Sequence, residues 1–137
     1  MNDVINYKSG YKYQLYTLYK CIVGVKPEKT IDTQFVVLTT YGELMIFEGY
    51  AWDGPSGPTI DTKDFMRGSL IHDALYQLMR EGHLPMSNRK QADKELQKAC
   101  VEDGMNRVVA WLVYQAVRIF AAKAVSKEMV RQIRTAP

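Results

Sequence analysis

Cysteine, histidine and long apolar runs are all scarce in this chain of 137 residues. The two cysteines, Cys21 and Cys100, sit in no CxxC pair or Cys/His cluster. A disulfide framework and a structural zinc site are therefore not expected, and both thiols read as reduced and buried. With His72 and His83 the only histidines, a metal phosphohydrolase of the His-Asp type lacks ligands. The uncharged run from Val108 to Val117 is ten residues, too short to cross a bilayer. Met1 to Gly10 has neither the basic start nor the apolar core of a secretory signal. The expectation is a protein made and kept in a cytoplasm, or released by cell lysis. The net charge of +3 is slight. No basic patch interleaved with aromatics, zinc knuckle or helix-turn-helix is apparent, so no nucleic-acid partner is expected. There is no repeat, linker or low-complexity segment.

What is present suits one globular domain over residues 1–137: 47% apolar and 24% charged, enough to bury a core unaided. From Tyr11 to Cys21 residues alternate with period two, which predicts a strand. Thr33–Thr39 and Glu43–Glu48 predict two more, giving a small antiparallel sheet over about 11–48. Gly49 to Pro58 holds three glycines and two prolines among ten residues. That composition predicts a loop over about 49–60, able to turn backbone carbonyls inward. Helices are expected over about 66–130. The first should end near Gly82, the second should start at Ser87 and close at Gly104, and the third should run from Asn106. The fold class is α+β, a small N-terminal antiparallel sheet followed by a three-helix C-terminal half.

The chemistry gathers on the first helix. Leu70, Ile71, Ala74, Leu75, Leu78 and Met79 recur at steps of three and four, the mark of one buried stripe. Into that stripe the chain sets His72, Asp73 and Tyr76. His72 and Tyr76 lie four apart on one face, with Asp73 rotated by roughly 100°. On the second helix the stripe is Ala92, Leu96, Ala99 and Cys100, and Asp93 sits at its edge, too far inside to cap anything. It either points to solvent or meets a partner across the core. Antiparallel helices joined by a short connection can set Asp93 opposite His72. A carboxylate on one ring nitrogen fixes the tautomer and leaves the other free to take a proton. Asp73, turned to the glycine loop, could hold a hard cation with loop carbonyls. The alternative is a satisfied core histidine beside an ordinary salt-bridge partner.

His72-Asp73-x-x-Tyr76 resembles the catalytic helix of phospholipases A2, and Ala92-Asp93-x-Glu95-Leu96 resembles the second helix of their compact viral members. Trp52-Asp53-Gly54-Pro55-Ser56-Gly57 lies where the secreted enzymes carry a calcium loop. The resemblance implies that His72 activates water, Asp93 orients His72 and Tyr76 supports Asp93. It further implies that Asp73 binds Ca2+ with the carbonyls of Trp52, Gly54 and Ser56, and that the partner is a phospholipid or membrane surface. Asp53 has no counterpart in those enzymes and is itself a candidate ligand. The family's flanking cysteines are missing, Leu75 standing before Tyr76. Most of the chain is similar to a family of small phage and prophage proteins without assigned activity. The shared pattern is Gly49 to Pro58, His72 to Tyr76, Ala92-Asp93 and Ala116-Val117-Arg118.

Two functions follow. One is a calcium-dependent ester hydrolase; the other is a non-enzymatic module binding a phage virion or host protein, its His72, Asp73 and Asp93 forming a buried polar network. For the third helix, packing as a core helix on the sheet is the expectation. The alternative places Trp111 and Tyr114 at a membrane interface and Arg118 and Lys123 at its head groups.

Overall fold

The computed structural model describes residues 7–8, 13–52 and 63–119. Its architecture is α+β: antiparallel sheets first, three helices after. β1 (Tyr7–Lys8), β2 (Tyr13–Leu15) and β7 (Ala51–Trp52) form one sheet in the order β1-β2-β7. β3 (Tyr19–Ile22), β4 (Ile31–Asp32), β5 (Val36–Leu38) and β6 (Glu43–Ile46) form a second, ordered β3-β6-β5-β4.

The strand expected over residues 11–21 is thus two strands in two sheets. Its alternation persists through Leu15, Tyr19 and Cys21, all buried, but residues 16–18 are exposed. The opposing chain bends at the same level, where Gly49 takes φ +94°, a conformation that favours glycine. Leu15 bridges the bend, its N–H donating to the Tyr50 carbonyl and its carbonyl accepting from Gly49 N–H. Of the second expected strand, Thr33–Thr39, Val36–Leu38 forms β5; β4 precedes it, and the Thr33 N–H donates to the Val36 carbonyl in the turn between them. The start of the glycine-rich stretch is not loop: Ala51 and Trp52 pair with Gln14 and Tyr13, because the flanking aromatics have a ladder and a core to join. Residues 53–62 lie outside the described residues.

α1 (Lys63–Arg80) is the hub of the packing, with 13 of its 18 residues buried. Leu70, Ile71, Ala74, Leu75 and Leu78 meet Val36, Leu38, Leu44 and Ile46 of the larger sheet in one core. A second core joins Phe65 of α1 to Leu96 and Cys100 of α2 (Arg89–Glu102) and to Met105, Ala110 and Val113. Gly68 lets α1 and α2 approach closely, since a Cβ there would sit 2.8 Å from Leu96 Cδ1 and 3.1 Å from its carbonyl oxygen.

Both helix ends behave as their glycines suggest. Gly82 at φ +81° and Gly104 at φ +106° close α1 and α2. The following amides of His83 and Met105 donate back to Leu78 and Cys100, the double bond pattern of a left-handed cap. The start of α2 differs from expectation. Ser87 lies inside a single 3-10 turn, Met86–Asn88, and Asn88 occupies the cap position without a side-chain cap bond. Its amide instead donates to the Pro85 carbonyl. The third helix, α3, is described over residues 107–119. It packs on α1 and α2 through the second core rather than on the sheet. No helix among the described residues is long and apolar enough to cross a membrane.

Candidate functional site

Helical spacing puts His72 and Tyr76 on the α1 face that meets α2, and the short connection turns α2 back so that Asp93 arrives opposite them. Asp93 is fully buried. Its Oδ1 accepts from His72 Nε2 at 2.6 Å and from the Tyr76 hydroxyl at 2.7 Å. The two rings lie against each other, centroids 4.2 Å apart. Three residues expected to work together from sequence therefore do meet at one carboxylate oxygen.

The other oxygen holds residues that sequence reasoning did not assign to the site. Arg118 of α3 donates from Nη1 to Asp93 Oδ2 at 2.9 Å. Arg89, one turn before Asp93, lies 3.9 Å from the same oxygen and donates to the Arg118 carbonyl at 3.2 Å. Arg118 faces inward, not toward a head-group layer. The available signal was charge complementarity: an arginine interrupting an apolar helix and an acid on an apolar stripe each need a buried partner.

Electrostatics fixes the proton positions. Burial opposes ionisation of Asp93, but bonds from His72 and Tyr76 and the Arg118 contact outweigh it, holding the carboxyl below its usual range. An ionised carboxylate only accepts, so Nε2 of His72 carries the hydrogen. In the neutral ring Nδ1 then keeps a lone pair. Nδ1 lies 4.0 Å from Asp73 Oδ1, beyond hydrogen-bond length, and the His72 side chain is 9% exposed. Burial first, and the neighbouring Asp93 second, push the Tyr76 phenol well above its ordinary value. It stays a donor.

Of the expected cation ligands, Asp73 and Trp52 are described; Asp53, Gly54 and Ser56 lie outside the described residues. The Asp73 carboxylate is 35% exposed. Trp52 is buried, and its indole N–H donates to Ser69 Oγ at 3.1 Å. Ser69 and Asp73 are four apart on α1, hence neighbours on one face. The Trp52 indole thus lies beside the helix face that bears Asp73. Among the described residues no group of three His, Cys, Asp or Glu side chains could hold a metal. Asp73 and a backbone carbonyl are hard oxygen donors, which fit calcium better than zinc. His83 lies elsewhere, beside a groove of about 560 Å³ lined also by Lys26–Asp32, Pro85 and Asn88. Its ring is 3.9 Å from Glu81.

Comparison with protein families, with curated proteins and with solved structures found no match.

Proposed function

We propose that the chain is an ester hydrolase in which His72 and Asp93 form a general-base pair, working as in calcium-dependent phospholipases A2. The observation that carries this reading is the shared oxygen, Asp93 Oδ1, which takes His72 Nε2 and Tyr76 together and leaves Nδ1 as the proton acceptor. In the reaction Nδ1 takes a proton from water while the water oxygen attacks the ester carbonyl. Asp93 stabilises the imidazolium that forms. The ring then returns the proton to the departing alkoxide, giving acid and alcohol. Asp73, with the Trp52 carbonyl and the residues that follow it, would hold Ca2+, whose charge would stabilise the developing oxyanion.

The second reading, a virion or host-protein module with a structural polar network, draws on Arg118. An arginine on Asp93 Oδ2 balances the buried charge without any need for catalysis.

Fatty-acid release from mixed phospholipid vesicles, with and without calcium, separates the two. Hydrolysis that calcium stimulates, and that His72→Gln abolishes in a folded protein, is the expected outcome. If no lipid is hydrolysed and calcium leaves the melting temperature unchanged, the network reading stands.

A further inference from the structure

Arg118 is tied to α2 twice. Its Nη1 donates to Asp93 Oδ2 at 2.9 Å, and its backbone carbonyl accepts from Arg89 Nη1 at 3.2 Å. Arg89 and Asp93 stand four apart on α2, hence on one face. Val117, the residue before Arg118, packs against the second core, which places this turn of α3 over the Asp93 carboxylate. The two arginines are not equivalent. Arg89 lies 3.9 Å from Asp93 Oδ2, beyond hydrogen-bond length, and its donor goes to a backbone carbonyl that any substitution at 118 would keep. Arg118 supplies the charged bond.

That bond matters because of what a buried carboxylate does without it. Asp93 is 0% exposed. The charged or titratable groups facing it are His72 and Tyr76 from α1, Arg89 from its own helix and Arg118 from α3. Burial opposes the Asp93 charge, and the Arg118 bond is among those that overcome it. Without Arg118 the remaining direct donors are a ring and a phenol. A buried anion with no cation bonded to it recovers neutrality by drawing in a proton. Among the described residues Oδ2 meets only the two arginines, both of them donors, so a proton on that side would find no acceptor. On Oδ1 the proton is donated to Nε2, and the ring hydrogen must then sit on Nδ1. On the ring it makes an imidazolium, with hydrogen on both nitrogens. Either way Nδ1 loses its free lone pair.

We infer that Arg118 is a positioning residue: through Asp93 it keeps the His72 hydrogen on Nε2 and the accepting lone pair on Nδ1, which makes α3 part of the site. The catalytic consequence rests on His72 being the general base; the state of the ring nitrogens does not.

The nitrogen-labelled full chain is compared with Arg118→Met and Arg118→Lys at about pH 7. Correlations between the ring nitrogens and the carbon-bound ring protons report which nitrogens carry hydrogen. The chain has two histidines, and His83, with a side chain 46% exposed, is the internal reference. The parent should show His72 protonated at Nε2 and bare at Nδ1. Arg118→Met should lose the bare Nδ1, and Arg118→Lys, which restores a cation, should recover it. Where Arg118→Met melts too low, sucrose favours the fold without supplying a cation. In the vesicle assay Arg118→Met should lower kcat roughly tenfold to a hundredfold with KM little changed, and Arg118→Lys should regain most of the loss. A folded Arg118→Met that keeps a bare Nδ1 overturns the inference whatever its rate, as does an Arg118→Lys that matches Arg118→Met. If the parent hydrolyses nothing while the ring nitrogens respond as expected, the positioning role stands and only the hydrolase reading fails.

Discussion

Arg67 and Asp93 are both charged, both helical and both buried, at 3% and 0% exposure, yet they are satisfied in different ways. Arg67 spends its guanidinium on fixed partners. Nε reaches both oxygens of Asp103, Nη1 the Tyr19 hydroxyl, and Nη2 Glu102 and the Ala99 carbonyl. Burial works against its charge, but the bonds from Asp103, Tyr19 and Glu102 prevail and raise its proton affinity. The thiol nearby is inert, burial pushing Cys21 up to about 11. Asp93 instead accepts one of its bonds from a ring with a second nitrogen. The first cluster ends in groups that have nothing further to exchange; the second ends in a proton acceptor. Saturation alone describes a structural ion pair, and an open nitrogen on the last partner separates a site from a staple.

The comparison is sharpened most by removing the acid. Asp93→Ala should cost about 3–5 kcal/mol in urea unfolding, since it strands Arg118 and the buried donors of His72 and Tyr76 without an acceptor. The stability that the Asp93 charge contributes has a definite sign with pH. Its carboxyl is held below its usual value, so the contribution is complete above the unfolded value of about 3.9. It is lost as pH falls through the folded value. Wild type should therefore exceed Asp93→Asn at neutral pH, and the gap should close in acid. A constant gap down to the lowest pH would mean that Asp93 is not ionised in the fold.

His72→Gln separates chemistry from packing. The amide can still donate toward Asp93, so the stability loss should be only about 1 kcal/mol. The rate of ester hydrolysis should fall roughly 10²–10⁴-fold, the usual share of a general base. Arg67→Met supplies the contrast. It should cost about 2–3 kcal/mol, less than losing Asp93, because Glu102 is 32% exposed and can turn to solvent. It should leave the rate per folded molecule unchanged. A rate loss in Arg67→Met as large as in His72→Gln would erase the distinction between the two clusters.

The sequence and the fold agree where a local pattern decides. The stripe of α1 was legible because its apolar residues recur at helical spacing over about three turns. Asp93 stood out because an acid on such a stripe is costly without a partner. The glycines that end α1 and α2 announce themselves in the same way. What could not be read depends on long-range placement. Arg118 lies 25 residues beyond Asp93, and only the packing of α3 against α1 and α2 brings it there. The break between β2 and β3 lies opposite Gly49, whose positive φ is a feature of the opposing chain that the alternation of residues 11–21 does not announce. Ser87 has good capping chemistry, but the tight turn after Pro85 absorbs it.

Tyr76 tests the smallest part of the arrangement. Its hydroxyl shares Asp93 Oδ1 with His72, so Tyr76→Phe removes one of three donors to the carboxylate and leaves the ring packing in place. The loss should be about 1 kcal/mol. The pH dependence identifies its source. Burial, with Asp93 adding to it, raises the phenol's proton affinity in the fold, so the phenol is a donor at every pH below the unfolded value of about 10. The gap between wild type and Tyr76→Phe should be flat from neutral pH up to that value and smaller in acid, where Asp93 takes a proton. It should narrow above it, where the unfolded phenol ionises and the folded one resists. A gap that instead widens with alkali would place a phenolate beside Asp93, and the shared-oxygen geometry could not survive two negative charges there.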